Sequence, residues 1–356
     1  MKISKNGKLI ILLLAIILIV IMILFFSCNK DNDAKSLPNQ ITTSPKTIIE
    51  NVTTNSMNKN INEVFFPYIH DNKLLYLGYK GIIFNEYNLD TKQNKKLFDQ
   101  EILGTSNVYY SPDGKRAVIK SFYPENNMKL YNFENGSVKN ISSNIIDLAW
   151  NEDGSKIAYI FNDNNNFQVN TTDNNFGDWL NIITLEKKIL SPEMLFYIGN
   201  IIFYGGYPNS YEGTTLHVLN SQNKTDNEIE NTTPSKDYIL SPRKSKILFR
   251  TRNSAGQELF TVYNIKNNLL TDINILSSEN DSFIWKNEDE ILLYKNNSGV
   301  EEIQEINVNS KIISKIYKLN NPDKFYSYIA QLLISTDEKT LYLLSNNNYL
   351  YNMTLD

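Results

Sequence analysis

The 356-residue sequence predicts an all-β fold, a seven-bladed β-propeller preceded by an N-terminal membrane anchor or lipoprotein signal, and three observations lead there. Short apolar, β-branched and aromatic runs recur along the chain, as strands require. Most of them follow a tight polar turn, so that strand, turn and strand make a hairpin. The recurrence has a period of roughly 40 to 50 residues, that of a propeller blade. Six or eight blades are the alternatives if one unit is miscounted.

Residues 1–28 are set apart by hydropathy. Leu9 to Phe26, LIILLLAIILIVIMILFF, is an unbroken apolar run, and roughly 18 such residues suffice for a helix to cross the hydrocarbon layer of a bilayer. Lys2, Lys5 and Lys8 precede it, whereas Asp31 and Asp33 follow with only Lys30 and Lys35. That bias keeps the N-terminal flank in the cytoplasm and puts the rest of the chain on the extracytoplasmic side. Cys28, the only cysteine, stands directly after the run in FFSCNKD, a placement that resembles the lipobox of bacterial lipoproteins. Ser27 fits the small residue before a lipidated cysteine, while Phe25 and Phe26 replace the usual leucine and small residue. The run is also longer than the roughly 7 to 15 residues of an ordinary signal core. An uncleaved single span and a lipidated Cys28 therefore both stand as readings.

Residues 29–60 are rich in Asn, Ser, Thr, Lys and Asp and read as a polar flexible linker. One cysteine allows no intramolecular disulfide, so the core carries its own stability. A net charge of -4 without a dense basic stripe argues against nucleic acid as a partner, since that affinity comes mainly from lysine and arginine on phosphates.

From 61 to 356 the chain can be laid in register with itself. One set of strands reads KLLYLGY, KRAVIKS, SKIAYIF, NIIFYGG, SKILFRT, EILLYKN and TLYLLSN, most of them preceded by turns such as HDNK, SPDGK, NEDGS, SPRKS, KNEDE and STDEK. Pro and Asp favour early turn positions, and Gly or Asn tolerates the backbone angles other residues resist. A second set follows at a similar offset, from GIIFNEYNLDT to NYLYNMTLD, and shorter strands such as KKLFD, VKNIS and SKIYKL close most units. Asp113 and Lys115 of SPDGK are thus turn residues of a repeat, not a chemical pair.

YYSPDGKRAVI, LAWNEDGSKIAYI and YILSPRKSKILFRTRNSAGQELFTVYNI resemble the repeats of TolB-like β-propellers, in which a strand ends in Ser-Pro-Asp-Gly and the next opens with Lys-Ile-Ala or similar. The resemblance covers the chain from about Asn62 to its end. It implies protein contacts in the cell envelope, by analogy of fold alone.

The last unit has three strands and lacks its outer one. An open sheet edge exposes unpaired backbone groups. Lys46 to Val52, KTIIENV, is expected to supply the missing strand and join the two ends of the ring.

The chemical inventory argues for a non-catalytic binding or scaffold module, with no cofactor. His70 and His217 are far apart and have no Cys or His at metal-ligand spacing, so no metal site is expected. No G-x-S-x-G elbow and no sialidase box is present, and the repeats leave no room for an attached hydrolase domain. Asn162 to Asp178, with Asp163, Asp173 and Asp178, reads as a solvated loop and lacks the EF-hand positions. A glycan-binding protein, or a propeller lyase or hydrolase with acids near the central channel, is the rival reading. The links between the second and third strands of blades two, three and four look expanded, and would put Tyr123, Phe167, Phe176, Tyr207 and Tyr211 on one sector of one face. Adjacent exposed aromatic residues there would make a binding surface for an envelope protein.

Overall fold

The computed structural model describes residues 51–164, 166–185, 194–206, 214–297, 299–320 and 328–355. Leu9–Phe26 and Cys28 lie outside them. The described strands form seven separate antiparallel-built sheets, the blades of a propeller. Blade one contains Phe65–His70, Lys73–Gly78, Ile83–Asn88 and Asn94–Lys96; blade two, Thr105–Tyr110, Arg116–Ser121, Asn127–Asn132 and Val138–Ile141; blade three, Ile145–Trp150, Lys156–Asp163, Asn166–Asp173 and Trp179–Leu185. Blade four contains Leu195–Ile198, Ile201–Gly206, Thr215–Asn220 and Thr225–Glu228, and blade five Ser235–Leu240, Lys246–Arg252, Glu258–Asn264 and Leu269–Leu276. Blade six has Ser282–Trp285, Glu290–Asn297, Val300–Asn307 and Ile312–Asn320, and blade seven Ile329–Ile334, Thr340–Ser345 and Leu350–Thr354.

Burial explains the composition of each strand. The second strands, such as Lys73–Gly78 and Thr340–Ser345, are buried on both faces because a neighbouring blade packs on each side. They therefore read as continuous apolar runs, not alternating ones. Outermost strands such as Asn94–Lys96 and Thr225–Glu228 are exposed along their whole length, which is why they are polar. Clusters of buried residues join consecutive blades; one combines Leu292, Tyr294 and Tyr317 of blade six with Leu341, Leu343 and Tyr351 of blade seven.

The turn Ser111–Lys115 shows what the repeat is for. Ser111 Oγ donates to Asp113 Oδ1 at 2.5 Å and accepts the Arg116 amide at 2.9 Å, while the Lys115 amide donates to the same Asp113 oxygen at 3.1 Å. Blade seven repeats this with Ser335, Asp337, Lys339 and Thr340. Blade four, which lacks the motif, turns through Gly199 at φ 56° instead, and its Gly199 amide donates to Glu152 of blade three at 2.8 Å. Trp150 and Trp285 end the innermost strands of blades three and six, and their indole N–H groups donate back to Tyr109 and Ile239 of the preceding blades at 3.1 and 3.2 Å.

The strand that completes blade seven is Asn58–Ile61, antiparallel to Leu350–Thr354, and not Lys46–Val52. Of that expected strand, Asn51 and Val52 belong to Asn51–Ser56, which adds a fifth strand, parallel, to the outer edge of blade six; residues 46–50 lie outside the described residues. Connection length accounts for the difference. The link from Ile61 to Phe65 is as short as that from Ile141 to Ile145 between blades two and three, whereas a closing strand ending at Val52 would leave a long tether before blade one. Part of the segment read as flexible linker is therefore strand.

A candidate binding surface on the link face

Each blade sends its link between strands two and three, and its link onward to the next blade, to one face, here the link face. The turns between strands one and two and between strands three and four lie on the other. The expected aromatic residues divide between these places. Tyr123 lies on the link face, 59% exposed. Phe167 is only 5% exposed, packed among Ile160, Val169 and Tyr204, because Asn162–Asp178 is a hairpin, Lys156–Asp163 with Asn166–Asp173, and not an expanded loop. Phe176 is half-buried in the turn between strands three and four, on the opposite face from Tyr123, against Tyr159 at 6.1 Å between ring centroids. Tyr207 and Tyr211 lie outside the described residues. No single aromatic sector joins the described three.

The structure gathers a different set around Tyr123. Tyr79 is 57% exposed in the strand-two-to-three link of blade one, Leu103 is 43% exposed in the link from blade one to blade two, and Phe122, at 67%, precedes Tyr123 in the strand-two-to-three link of blade two. Backbone bonds tie these links side by side: the Ile102 amide donates to Ile82 at 2.9 Å and the Phe122 amide to Gly104 at 2.9 Å. Gly104, at φ 63°, lies so near Tyr123 that a Cβ there would come within 2.7 Å of its amide nitrogen. Nothing in SFYPENN alternates like a strand, so its apolar pair was readable as link residues; the contribution of Tyr79 and Leu103 depends on packing between blades and has no sequence signal.

Several charged groups elsewhere on the link face pair with one another. On blade five Lys236 and Arg252 lie 2.7 and 3.4 Å from Glu258. Burial disfavours the charge on Glu258, but these cations outweigh it and hold its carboxyl below the usual range. Asp237 pairs with Arg250 at 3.3 Å, and Asp281 with Lys295 at 3.4 Å. His217 is buried, stacked on Tyr204 with centroids 4.9 Å apart, and Asp226 is 3.4 Å from its Nδ1. Among the described residues no group of three or more His, Cys, Asp or Glu side chains is gathered as a metal ion would need.

No protein-family description matches this sequence, and no curated protein is similar to it. Solved structures do share its fold. An oligogalacturonate lyase in complex with manganese aligns with a TM-score of 0.62 at 11% identity, over 84% of this chain and 89% of that one. A chain of a mitotic checkpoint complex aligns at 0.57 and 14% identity, over 92% and 99%. TolB from Acinetobacter baumannii aligns at 0.48 and 11%, over 77% and 60%. At these identities the likeness is one of fold. A fold common to a lyase and a component of a protein assembly does not decide between catalysis and binding.

Proposed function

We propose that this protein is a membrane-anchored, extracytoplasmic propeller that binds another protein of the cell envelope and catalyses no reaction itself. The observation that carries this reading is the set Tyr79, Leu103, Phe122 and Tyr123, exposed on neighbouring, hydrogen-bonded links of one face. Large apolar side chains grouped in water mark interaction surfaces, and aromatic residues are the usual anchors of such contacts. The similar chain in a mitotic checkpoint complex supports a role in an assembly, as a matter of fold. Anchoring rests on Leu9–Phe26 and the lysines before it.

Crosslinking of the full chain in living cells, followed by mass spectrometry of what co-purifies, tests this. A specific envelope protein is expected with the parent chain, and its recovery should fall at least tenfold when Tyr79, Phe122 and Tyr123 are changed to Ser. A pair of substitutions on the rim of blade three, Trp179→Ser and Leu180→Ser, should leave it intact. Equal capture by the parent and the triple variant would overturn the proposal, as would protection of the propeller from protease added outside the cytoplasmic membrane.

A further inference from the structure

Where blades seven, one and two meet the central channel, a cavity of about 380 Å³ is lined by Phe66, Tyr68, Tyr110, Asn107 and Gln331, with Pro67 and Val108. Its walls come from three innermost strands, and each is irregular at this level: the pairing register shifts between Phe65 and Tyr68, between Thr105 and Asn107, and between Ile329 and Gln331. Such bulges re-aim side chains. Blade five has the equivalent two-residue bulge between Lys236 and Ile239, with Asp237 at φ 55°. Aspartate tolerates that left-handed backbone comparatively well. Phe66 holds the same conformation at φ 50°, immediately before a proline, where an aromatic residue is doubly disfavoured. Its carbonyl is fixed by the Tyr110 hydroxyl at 2.7 Å across the blade boundary. Strain held in place in this way is found at ligand sites more than elsewhere.

The chemistry of the lining is selective. Asp147 flanks the bulge of blade three and Asp237 lies in that of blade five, yet among the described residues around this cavity none is charged. Tyr68 is covered by Tyr110 at 5.0 Å and His70 at 6.5 Å between centroids, whereas Phe66 is in no ring pair among the described residues. Burial pushes the Tyr68 phenol up to about 12, so it stays neutral in physiological conditions. Asn107 Oδ1 accepts the Val108 amide at 2.8 Å, leaving the side-chain amide nitrogen for a ligand. Gln331 is exposed, and its side chain makes no hydrogen bond among the described residues.

We infer that this cavity binds an uncharged saccharide, with an apolar face of the sugar ring on Phe66 and hydroxyls on the amides of Asn107 and Gln331. A cavity of this volume, walled by aromatic groups and furnished with a few orienting polar groups, has the makeup of a small-ligand site. An acidic sugar would lose hydration for its carboxylate and meet no cation there. The site uses none of the residues of the partner surface, so the two readings stand or fall separately.

The test is titration of the full chain, held in a detergent without sugar groups, with neutral and uronic-acid trisaccharides, followed by saturation-transfer NMR. A neutral trisaccharide should bind at least tenfold more tightly than an acidic one of the same linkage. Gln331→Ala, an exposed change that leaves the core untouched, and Asn107→Ala should each weaken it several-fold, and Phe66→Ala tenfold or more; Phe122→Ser should have no effect. Absence of binding by neutral sugars, equal binding of acidic ones, or binding unchanged in both amide variants would overturn the inference. Preferential uptake of proline-rich or aromatic peptides into the cavity, with sugars excluded, would do the same.

Discussion

Position 243 departs from the turn repeat, and the way the fold compensates shows how its energetics are shared. In blades two and seven the turn serine donates to an aspartate two residues on. Blade five reads SPRKS, with Arg243 in that place, and the acceptor comes from the next blade: Glu288 takes the Ser241 hydroxyl at 2.9 Å, the Arg243 amide at 3.0 Å and the Ser245 hydroxyl. One carboxylate thus closes the blade-five turn and joins two blades. Removing an acceptor from partly buried donors costs about 1 to 3 kcal/mol, so Glu288→Ala should lower stability by about that amount in urea unfolding. Restoring a local carboxylate with Arg243→Asp in the same chain should recover at least half. A loss below about 0.5 kcal/mol, the scale of a neutral surface change, would show that Glu288 does not have this role. The serine and proline of SPRKS made the turn readable, and its missing aspartate was visible; the substitute could not be, because it stands in another repeat.

Strands and links differ in how openly the chain displays them. Second strands were legible because burial on both sides demands an unbroken apolar run, as in TLYLLS. Asn166–Asp173 was not, because asparagine, glutamine and threonine dominate it; only Phe167 and Val169, two apart and both buried, betray the strand, and Asn170 is accommodated inside by a 2.9 Å bond from Asn181. Misreading that hairpin as a loop is what placed Phe167 on a surface. Links carry the proposed partner surface, and its shape depends on Gly104. A side chain at Gly104 meets two obstacles, a left-handed backbone and the Tyr123 backbone. Gly136, at φ 69° with nothing within 4 Å, meets only the first. Gly136→Ala should therefore cost about 1 to 2 kcal/mol from backbone conformation alone. Gly104→Ala should cost at least 1 kcal/mol more and, by displacing Phe122 and Tyr123, reduce crosslinking to the partner. Equal costs for the two alanines would mean that the Tyr123 link yields freely, and that the patch is not held in shape by this contact.

Across the whole molecule, stability depends on how the ring is closed, and this was the least legible feature. The incomplete last blade was readable from the order of strands, and with it the need for an N-terminal strand. Which residues supply it was not, since NVTTNSMNKNI has neither the alternation nor the apolar density that marks a strand, and its pairing partners are far along the chain. One buried side chain stands at the closure. Met57 stands between the strand added to blade six and the strand that completes blade seven, and it is buried in the cluster holding Leu292, Tyr294 and Tyr317 of blade six with Leu341, Leu343 and Tyr351 of blade seven. Its amide also reaches the Asn320 carbonyl at 3.4 Å. Truncating a buried methionine costs about 2 to 5 kcal/mol through lost burial and the cavity left behind. Met57 anchors the strand whose pairing with Leu350–Thr354 closes the ring without a covalent link, so Met57→Ala should destabilise by the upper part of that range. It should also raise hydrogen exchange selectively along Leu350–Thr354, whose outer edge Asn58–Ile61 covers. Leu292→Ala, in the same cluster but in blade six, whose strands from Ser282 to Asn320 are consecutive in the chain, is the comparison: it should lower stability without that selective exchange. Loss of protection spread evenly over all seven blades in the Met57 variant would show that the N-terminal strands add stability without acting as the closure.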